Sequence, residues 1–143
     1  MRTARCEDPN GNVTERTFNA RGHEVAHVVQ TVRNVNPHDP PSFTTTRTWN
    51  ADSLVTSITY PEGNSVQFDY DSTNPRRFAQ GNLLRVTQAP GERGGDQTAL
   101  VTTYTYEPIY NRVRTVTTPR GHDASFEPAT PDDYSSHRSQ SGW

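Results

Sequence analysis

Apolar and polar residues alternate along several stretches of this chain with the two-residue period of a β-strand. The clearest example lies within residues 49–71. In its first run Leu54, Thr56, Ile58 and Tyr60 alternate with Val55, Ser57 and Thr59, and in its second run Val66, Phe68 and Tyr70 alternate with Gln67 and Asp69. Pro61-Glu62-Gly63-Asn64 separates them. Proline presets φ for the first central position of a turn, and Gly and Asn accept positive φ. We therefore predict one complete β-hairpin here.

The predicted hairpin has one preferred apolar face. Ile58 and Phe68 lie on this face. Tyr60 and Tyr70 follow them by two positions and are therefore predicted to lie on the same face. Large apolar side chains on one face of a sheet normally pack against other apolar groups. We therefore expect all four side chains to pack inward and to have a structural role.

The pattern of this hairpin recurs along the chain. Each unit is opened by an aromatic residue followed by Asn, Asp or Glu, at Phe18-Asn19, Trp49-Asn50, Tyr70-Asp71 and Tyr106-Glu107. A short turn and an aliphatic strand follow each opener, at Gly22–Val29, Leu54–Tyr60, Gly81–Thr87 and Asn111–Thr117. The Pro-Gly turn also recurs, at Ala89–Gly91 and Thr118–Gly121. Such self-similarity indicates a repeat architecture whose insertions lie in turns.

The segments between these units predict turns and loose ends. Residues 1–5 have no periodicity and predict a ragged terminus, whereas Val13–Phe18 predicts a short strand. Three prolines in Asn34–Ser42 exclude regular structure there. Beyond Phe126 the composition is that of a flexible or loosely docked tail. We expect hairpin repeats over residues 1–126 and a tail over residues 127–143.

The composition favours strands over helices. Only 29% of the residues are hydrophobic and the mean hydropathy is −0.94. Thr, Val and Tyr are abundant, and β-branched and aromatic residues suit a pleated surface. The fold class predicted is all-β, with antiparallel hairpin repeats stacked into a continuous strip that forms part of a spiral shell, a barrel or a fibre.

Charge and cysteine content exclude several classes of function. The net charge is −2 with a pI near 6.2, and the arginines are scattered, so nucleic acid is not an expected partner. Cys6 is the only cysteine, which excludes an intramolecular disulfide. No apolar run approaches the roughly 18 residues of a membrane span. We expect no membrane-spanning segment.

One motif points to a different function. His23-Glu24-Val25-Ala26-His27 matches HExxH. On a helix, His23 and His27 would hold Zn²⁺ on one face and Glu24 would act as general base of a metallopeptidase. The Val-rich context instead favours a strand with two exposed histidines, and neither His38 nor Glu62 makes a convincing third ligand. We predict no metal there, with a zinc-peptidase fragment as an alternative.

Other signs of catalysis are weak. The chain has no Gly-x-Ser-x-Gly elbow, and the glycines at 91, 94 and 95 are not followed by the Lys-Ser/Thr of a phosphate loop. We therefore expect no catalytic residues and no cofactor. A carbohydrate-binding or adhesion module is the first alternative, ahead of the zinc peptidase, because Trp49, Tyr60, Tyr70, Tyr104, Tyr106 and Tyr110 offer aromatic faces to sugars.

The repeated segments resemble the Rhs or YD-repeat family. The strings that carry the resemblance are Asp8–Thr14, Phe18–Gly22, Phe68–Asp71 with Gly81-Asn82-Leu83, and Tyr104–Pro108 with Tyr110–Val113. They cover roughly residues 6–126. The family includes bacterial Rhs and toxin-complex shell proteins and teneurin-like β-barrels.

The resemblance implies a structural, non-catalytic role. Such strips spiral into a shell that encloses a toxic polypeptide, or form adhesive extracellular barrels, so the expected location is secreted or at the cell surface. Four or so hairpins are too few to close a cage. The expected partners are therefore neighbouring repeats of a larger protein or identical copies paired edge to edge, with an enclosed toxin polypeptide or a surface glycan as further partners.

Overall fold

The computed structural model describes residues 1–30, 40–121 and 123–125, and over these residues the fold is all-β. Its regular elements are β-strands joined by turns, with short 3₁₀ turns at Arg77–Ala79 and Glu92–Gly94. Within these residues, no helix has the length and apolar character of a membrane span. The predicted antiparallel strip of hairpins is confirmed.

Seven strands follow one another in the first of two compact units, Met1–Val101. Each pairs antiparallel with the next, so that spatial order equals chain order. The strands are β1 (Arg2–Glu7), β2 (Val13–Phe18), β3 (Glu24–Gln30), β4 (Ser42–Trp49), β5 (Val55–Thr59), β6 (Ser65–Tyr70) and β7 (Leu83–Ala89).

The described part of the second unit, Thr102–Trp143, continues the same pattern. Most of strand β8 (Leu100–Tyr106) belongs to it, followed by β9 (Val113–Thr117) and β10 (Asp123–Ser125). β9 pairs antiparallel with both of its neighbours.

One sequence-based expectation is wrong. The segment predicted as a ragged terminus forms β1, which pairs along its whole length with β2, from Arg2 opposite Phe18 to Glu7 opposite Val13. Its sequence lacks apolar alternation because every β1 side chain is exposed, so hairpin pairing rather than burial forms this strand. The proline-rich connection, apart from its last three residues, and the tail over 127–143 lie outside the described residues.

Four turns of the first unit share one design. In each five-residue loop the first amide donates to the fifth carbonyl and the fourth amide donates to the first carbonyl, as in a hairpin loop closed by a G1 bulge. The loops span 8–12, 19–23, 50–54 and 60–64. The fourth residue has positive φ in every case, and it is glycine except at Ser53, where φ is 66°. The repeat is thus visible in backbone geometry as well as in sequence.

The sheet has almost no interior of its own. Of the described apolar residues only Val13 and Ala79 are buried, at 8% and 5% exposure, and no large side chain is fully enclosed. Ile58, Phe68 and Tyr70 are half-buried, as a single layer allows. Tyr60 is 38% exposed, so the prediction that it packs inward is wrong. Its position as the first residue of the 60–64 turn, beyond the end of β5, explains the difference.

Candidate functional site

The HExxH segment lies on a strand and not on a helix. Glu24 begins β3, His27 lies within that strand, and His23 is the last residue of the preceding turn. The predicted strand is confirmed, but both histidines are half-buried and not exposed. His23 stacks on Trp49, with 4.6 Å between ring centroids and 22° between planes. The segment therefore does not form the helical arrangement in which two histidines four residues apart lie on the same face.

Glu24 is held by arginines on both sides. Its carboxylate pairs with Arg16 Nη1 at 3.4 Å on β2 and with the guanidinium of Arg47 on β4. The Glu24 side chain is only 18% exposed, so these pairs are shielded more than ordinary surface pairs. Within the described ranges no three His, Cys, Asp or Glu side chains are grouped as metal ligands would be. The geometry gives Glu24 a bridging role across three strands.

The aromatic openers form a recurrent corner at the end of the even-numbered strands. In the first unit, Trp49 Nε1 donates to the Glu24 carbonyl at 2.9 Å, and the Tyr70 hydroxyl donates to the Val55 carbonyl at 2.9 Å. Each acceptor is the first residue of the strand before the one that carries the aromatic. The Tyr70 hydroxyl is a protonated donor at neutral pH, and burial raises its pKa above the ordinary value of 10.0. These two aromatics are anchors within the sheet.

A β-bulge accompanies every opener. The register shifts immediately before Phe18, Trp49, Tyr70 and, in the second unit, Tyr106, and one residue of the following strand is skipped. The skipped residues are Val25, Thr56, Leu84 and Arg114. Sequence patterns did not reveal the bulges, because each extra residue has a side chain that also suits a regular strand.

Side-chain contacts confirm the geometry of the bulge between β4 and β5. Thr48 Oγ1 lies 2.7 Å from Thr56 Oγ1 and 2.8 Å from Ser57 Oγ, so two successive residues of β5 face one residue of β4. That arrangement returns Val55 to the face that carries Trp49 and Ile58. The bulge thus keeps the apolar residues of successive strands on one side.

The residues after Phe18 and Trp49 close their turns with a side-chain oxygen. Asn19 Oδ1 accepts from the amides of Arg21 and His23, at 2.9 and 3.0 Å, and Asn50 Oδ1 accepts equivalently from Asp52 and Leu54. This is the reason an Asn or Asp suits the second position of the opener: a short polar side chain satisfies turn amides that face no partner strand.

Glu107 performs this function in the second unit. It is 5% exposed, and its carboxylate accepts from the amides of Ile109, Tyr110 and Arg112 at 2.7–3.0 Å. These bonds, led by the one from Arg112, hold the pKa of Glu107 below its ordinary value. Its sequence signal is its place after Tyr106, where Asn or Asp stands in the other openers, although the capping role was not predicted.

Arginines tie neighbouring corners together. Arg21 donates from Nη1 to the Ala51 carbonyl, which joins the 19–23 turn to the 50–54 turn. The guanidinium of Arg77 pairs with Asp52, which joins the same turn to the 3₁₀ segment between β6 and β7. The turns of the first unit therefore support one another laterally at the end of the sheet where the openers lie.

The opposite end of the first unit carries an open groove of about 520 Å³. Its lining includes Pro40, Phe43, Pro61, Glu62, Glu92 and Arg93. Arg93 Nη1 lies 3.3 Å from Glu62 Oε1, and a Cβ at Gly91 would lie 2.2 Å from the Glu62 carbonyl oxygen. The close approach of the two loops therefore requires glycine at 91.

Comparison with known proteins shows a likeness to solved structures. No family model matches the chain, and no curated protein matches it. A crystal structure of TcdB2-TccC3-Cdc42 is similar, with a TM-score of 0.43 and 17% sequence identity. The similarity covers 82% of this chain and 7% of that chain, so this protein spans a small part of the length of its neighbour.

Proposed function

We propose that this chain is a structural, non-catalytic module of the Rhs/YD-repeat type, whose hairpins extend a larger extracellular β-sheet assembly such as a shell or scaffold. The observation that carries the proposal is the recurrent corner. An aromatic, a bulge and an Asn, Asp or Glu after the aromatic return together at each opener. Repetition of one corner serves a structure that is built by adding hairpins.

The near absence of buried side chains supports the same role. A domain that folds alone normally encloses a hydrophobic core, because burial of apolar surface offsets the loss of chain entropy. The described residues of this chain enclose only Val13 and Ala79 among their apolar side chains. Half-buried residues such as Ile58 and Phe68 gain full burial only when more protein covers their face.

The arrangement of the aromatics favours this proposal over a glycan-binding platform. Such a platform needs several aromatic rings turned to solvent, and the polar ends of Trp49 and Tyr70 are tied to main-chain carbonyls. The zinc-peptidase alternative requires Glu24 as a general base, and two arginines already neutralise that carboxylate. Enclosure of a polypeptide and a secreted or cell-surface location are parts of the proposal.

Light scattering and sedimentation of the 143-residue chain at micromolar concentration test the proposal. We expect particles much larger than 16.0 kDa, with negative-stain images showing tubes, fibres or shell fragments. A stable, folded monomer would refute the module role. Stoichiometric zinc that is lost on His27→Ala would instead identify the peptidase.

A further inference from the structure

The first strand has one edge without a partner among the strands that the structure describes. β1 pairs with β2 on one side, and all six of its side chains are exposed. The Asp8 amide bonds to the Asn12 carbonyl, and hydrogen-bonded pairs alternate in an antiparallel ladder. The main-chain groups of Thr3, Arg5 and Glu7 therefore point away from β2. An edge of this kind is a template for another strand.

The first hairpin is a gapless counterpart of the third. Residues 2–19 align with residues 54–71, so that the turn Asp8-Pro9-Asn10-Gly11-Asn12 matches Tyr60-Pro61-Glu62-Gly63-Asn64, and the opener Phe18-Asn19 matches Tyr70-Asp71. The two turns share their hydrogen bonds and the positive φ of the fourth residue. β1 thus occupies the place in its hairpin that β5 occupies in the third.

Each of the odd-numbered strands β3, β5 and β7 pairs with the even-numbered strand that precedes it. The edge used for that pairing corresponds to the outer edge of β1. The arriving aromatics lie opposite Glu24, Val55 and Leu83, and the next residue of each odd strand is skipped. In β1, Thr3 corresponds to the residue that lies opposite the aromatic. Ala4 corresponds to the residue that is skipped. β1 pairs with β2 over all six of its residues, whereas β5 pairs with β6 over Ser57–Thr59.

The charge of Arg5 indicates which kind of strand would pair with the outer edge of β1. At the bulge between β6 and β7, Asp69 lies 3.9 Å from Arg85, and Asp69 directly precedes Tyr70. Arg5 is the counterpart of Arg85 in β1. Its present partners, Glu7 and Glu15, form exposed pairs at 3.4 and 3.7 Å, which contribute little to stability. An acidic residue on the arriving strand would gain the contact that Asp69 makes.

We propose that the outer edge of β1 accepts one further strand of the repeat type, ending in an acid-aromatic-acid sequence such as Asp69-Tyr70-Asp71. The aromatic lies opposite Thr3, a bulge forms at Ala4 and Arg5, and the acidic residue before the aromatic pairs with Arg5. The inference rests on the proposed function and adds to it the register, the bulge position and the chemistry of the partner.

A labelled peptide of sequence Ser-Val-Gln-Phe-Asp-Tyr-Asp-Ser, which copies residues 65–72, is the probe. We expect saturable binding to the 143-residue chain, with the amides of Thr3, Arg5 and Glu7 becoming protected from exchange. The amides of Ala4 and Cys6 serve as internal reference, since they already face β2. A peptide with Ala in place of the tyrosine should bind up to about fivefold more weakly because it loses the cross-strand contact of the ring opposite Thr3.

Two variants at one position locate the site. Arg5→Pro removes an outward amide, and proline is tolerated on a strand edge whose N–H faces solvent. We expect it to reduce peptide affinity by about tenfold or more, whereas Arg5→Thr keeps the amide and loses only the charge, with a smaller decrease. Thr3→Pro provides a second outward position if Arg5→Pro disturbs the hairpin.

Equal binding by Arg5→Pro and Arg5→Thr, or protection away from β1, would overturn the assignment of the edge. Protection of Thr3 and Arg5 without peptide, lost on dilution, would show that a second copy takes the edge and would overturn the proposed partner. Large particles formed by the parent chain, together with failure of the parent chain to bind the peptide, would leave the module role standing and remove only this inference.

Discussion

The hydroxyl of Tyr70 donates a 2.9 Å hydrogen bond to the main-chain carbonyl of Val55. This bond joins the end of β6 to the start of β5, and the indole of Trp49 makes the equivalent bond to Glu24 one hairpin earlier. A polar atom at the tip of a large ring can fix both the position of the ring and the end of the neighbouring strand. The two bonds explain the choice of Trp and Tyr at these two openers, whereas Phe18 has no polar atom and contributes its ring alone.

Tyr70→Phe tests this anchor. The variant keeps the ring and leaves the Val55 carbonyl without its donor, so we expect a loss of about 1 kcal/mol in the free energy of unfolding. Urea unfolding followed by fluorescence measures it. Tyr60→Phe is the matched control, because Tyr60 is 38% exposed, and its loss should be near zero. Equal losses in both variants would remove the anchor role.

Ser53→Gly tests the shared turn. Ser53 is the fourth residue of the 50–54 loop and has a φ of 66°, where the other three loops have glycine. Left-handed backbone costs a residue with a Cβ about 1 kcal/mol, so the variant should be stabilised by up to that amount. Gly22→Ser makes the reverse change at a φ of 86° and should destabilise by a similar amount. Thermal melting of both variants decides the matter, and a destabilised Ser53→Gly would contradict it.

Truncation of the apolar face reports whether the face is covered. A fully buried Ile or Phe loses about 2–5 kcal/mol on truncation to Ala, but Ile58 and Phe68 are half-buried here. We therefore expect Ile58→Ala and Phe68→Ala to cost about 1–2 kcal/mol in dilute, dissociated chain, scaling with the area removed from water. The full cost should appear only in assembled particles, measured by their dissociation in urea. Identical costs in both states would show that assembly leaves this face open.

The hydrogen bonds to the Glu107 carboxylate predict that the stability of its turn depends on pH. Its pKa is held below the ordinary value of 4.5, since the folded carboxylate accepts from the amides of Arg112, Ile109 and Tyr110. The folded state therefore releases its proton more readily than the unfolded state. Its contribution to stability is fully present above about pH 4.5 and is lost as the pH falls through the lower, folded pKa.

Amide exchange of Ile109 and Tyr110 measures this effect. In the parent chain, protection should fall as the pH is lowered beyond the intrinsic effect of pH on exchange. Glu107→Gln should reduce protection at neutral pH and remove most of the additional pH dependence. A parallel fall of protection in the parent chain and in Glu107→Gln would assign the pH dependence to other carboxylates. Asp8→Asn is the matched control, because the pKa of Asp8 is also lowered.

The predictable part of this fold is the part that depends on alternation. Strands β5 and β6 and the turn between them follow from side chains two residues apart and from Pro61 and Gly63, which act locally. β1 was missed because its exposed residues carry no apolar period, and its pairing with β2 is what makes it a strand. The bulge at Thr56 could not be found from the sequence, since threonine also suits a regular strand.

The candidate site shows the same division. The openers were visible as Tyr70-Asp71 and its counterparts, and the HExxH segment was correctly assigned to a strand. The bonds from Trp49 to Glu24 and from Arg47 to Glu24 join residues more than twenty positions apart, so only the strand register brings them together. Local sequence identifies the parts of a corner, and the register determines which parts meet.

The single extra residue at each bulge has a consequence for how such a chain can lengthen during evolution. Because the bulge restores the orientation of the pleat, Val55 begins its hairpin on the same side of the sheet as Trp49 ended the one before. A genetic duplication that copies two strands together with their bulge therefore inserts a module whose apolar side already matches its neighbours. A duplication that omits the residue equivalent to Thr56 would remove the bulge and its local twist, and Val55, Ser57 and Ile58 would then alternate regularly on the sides of the sheet that they already occupy.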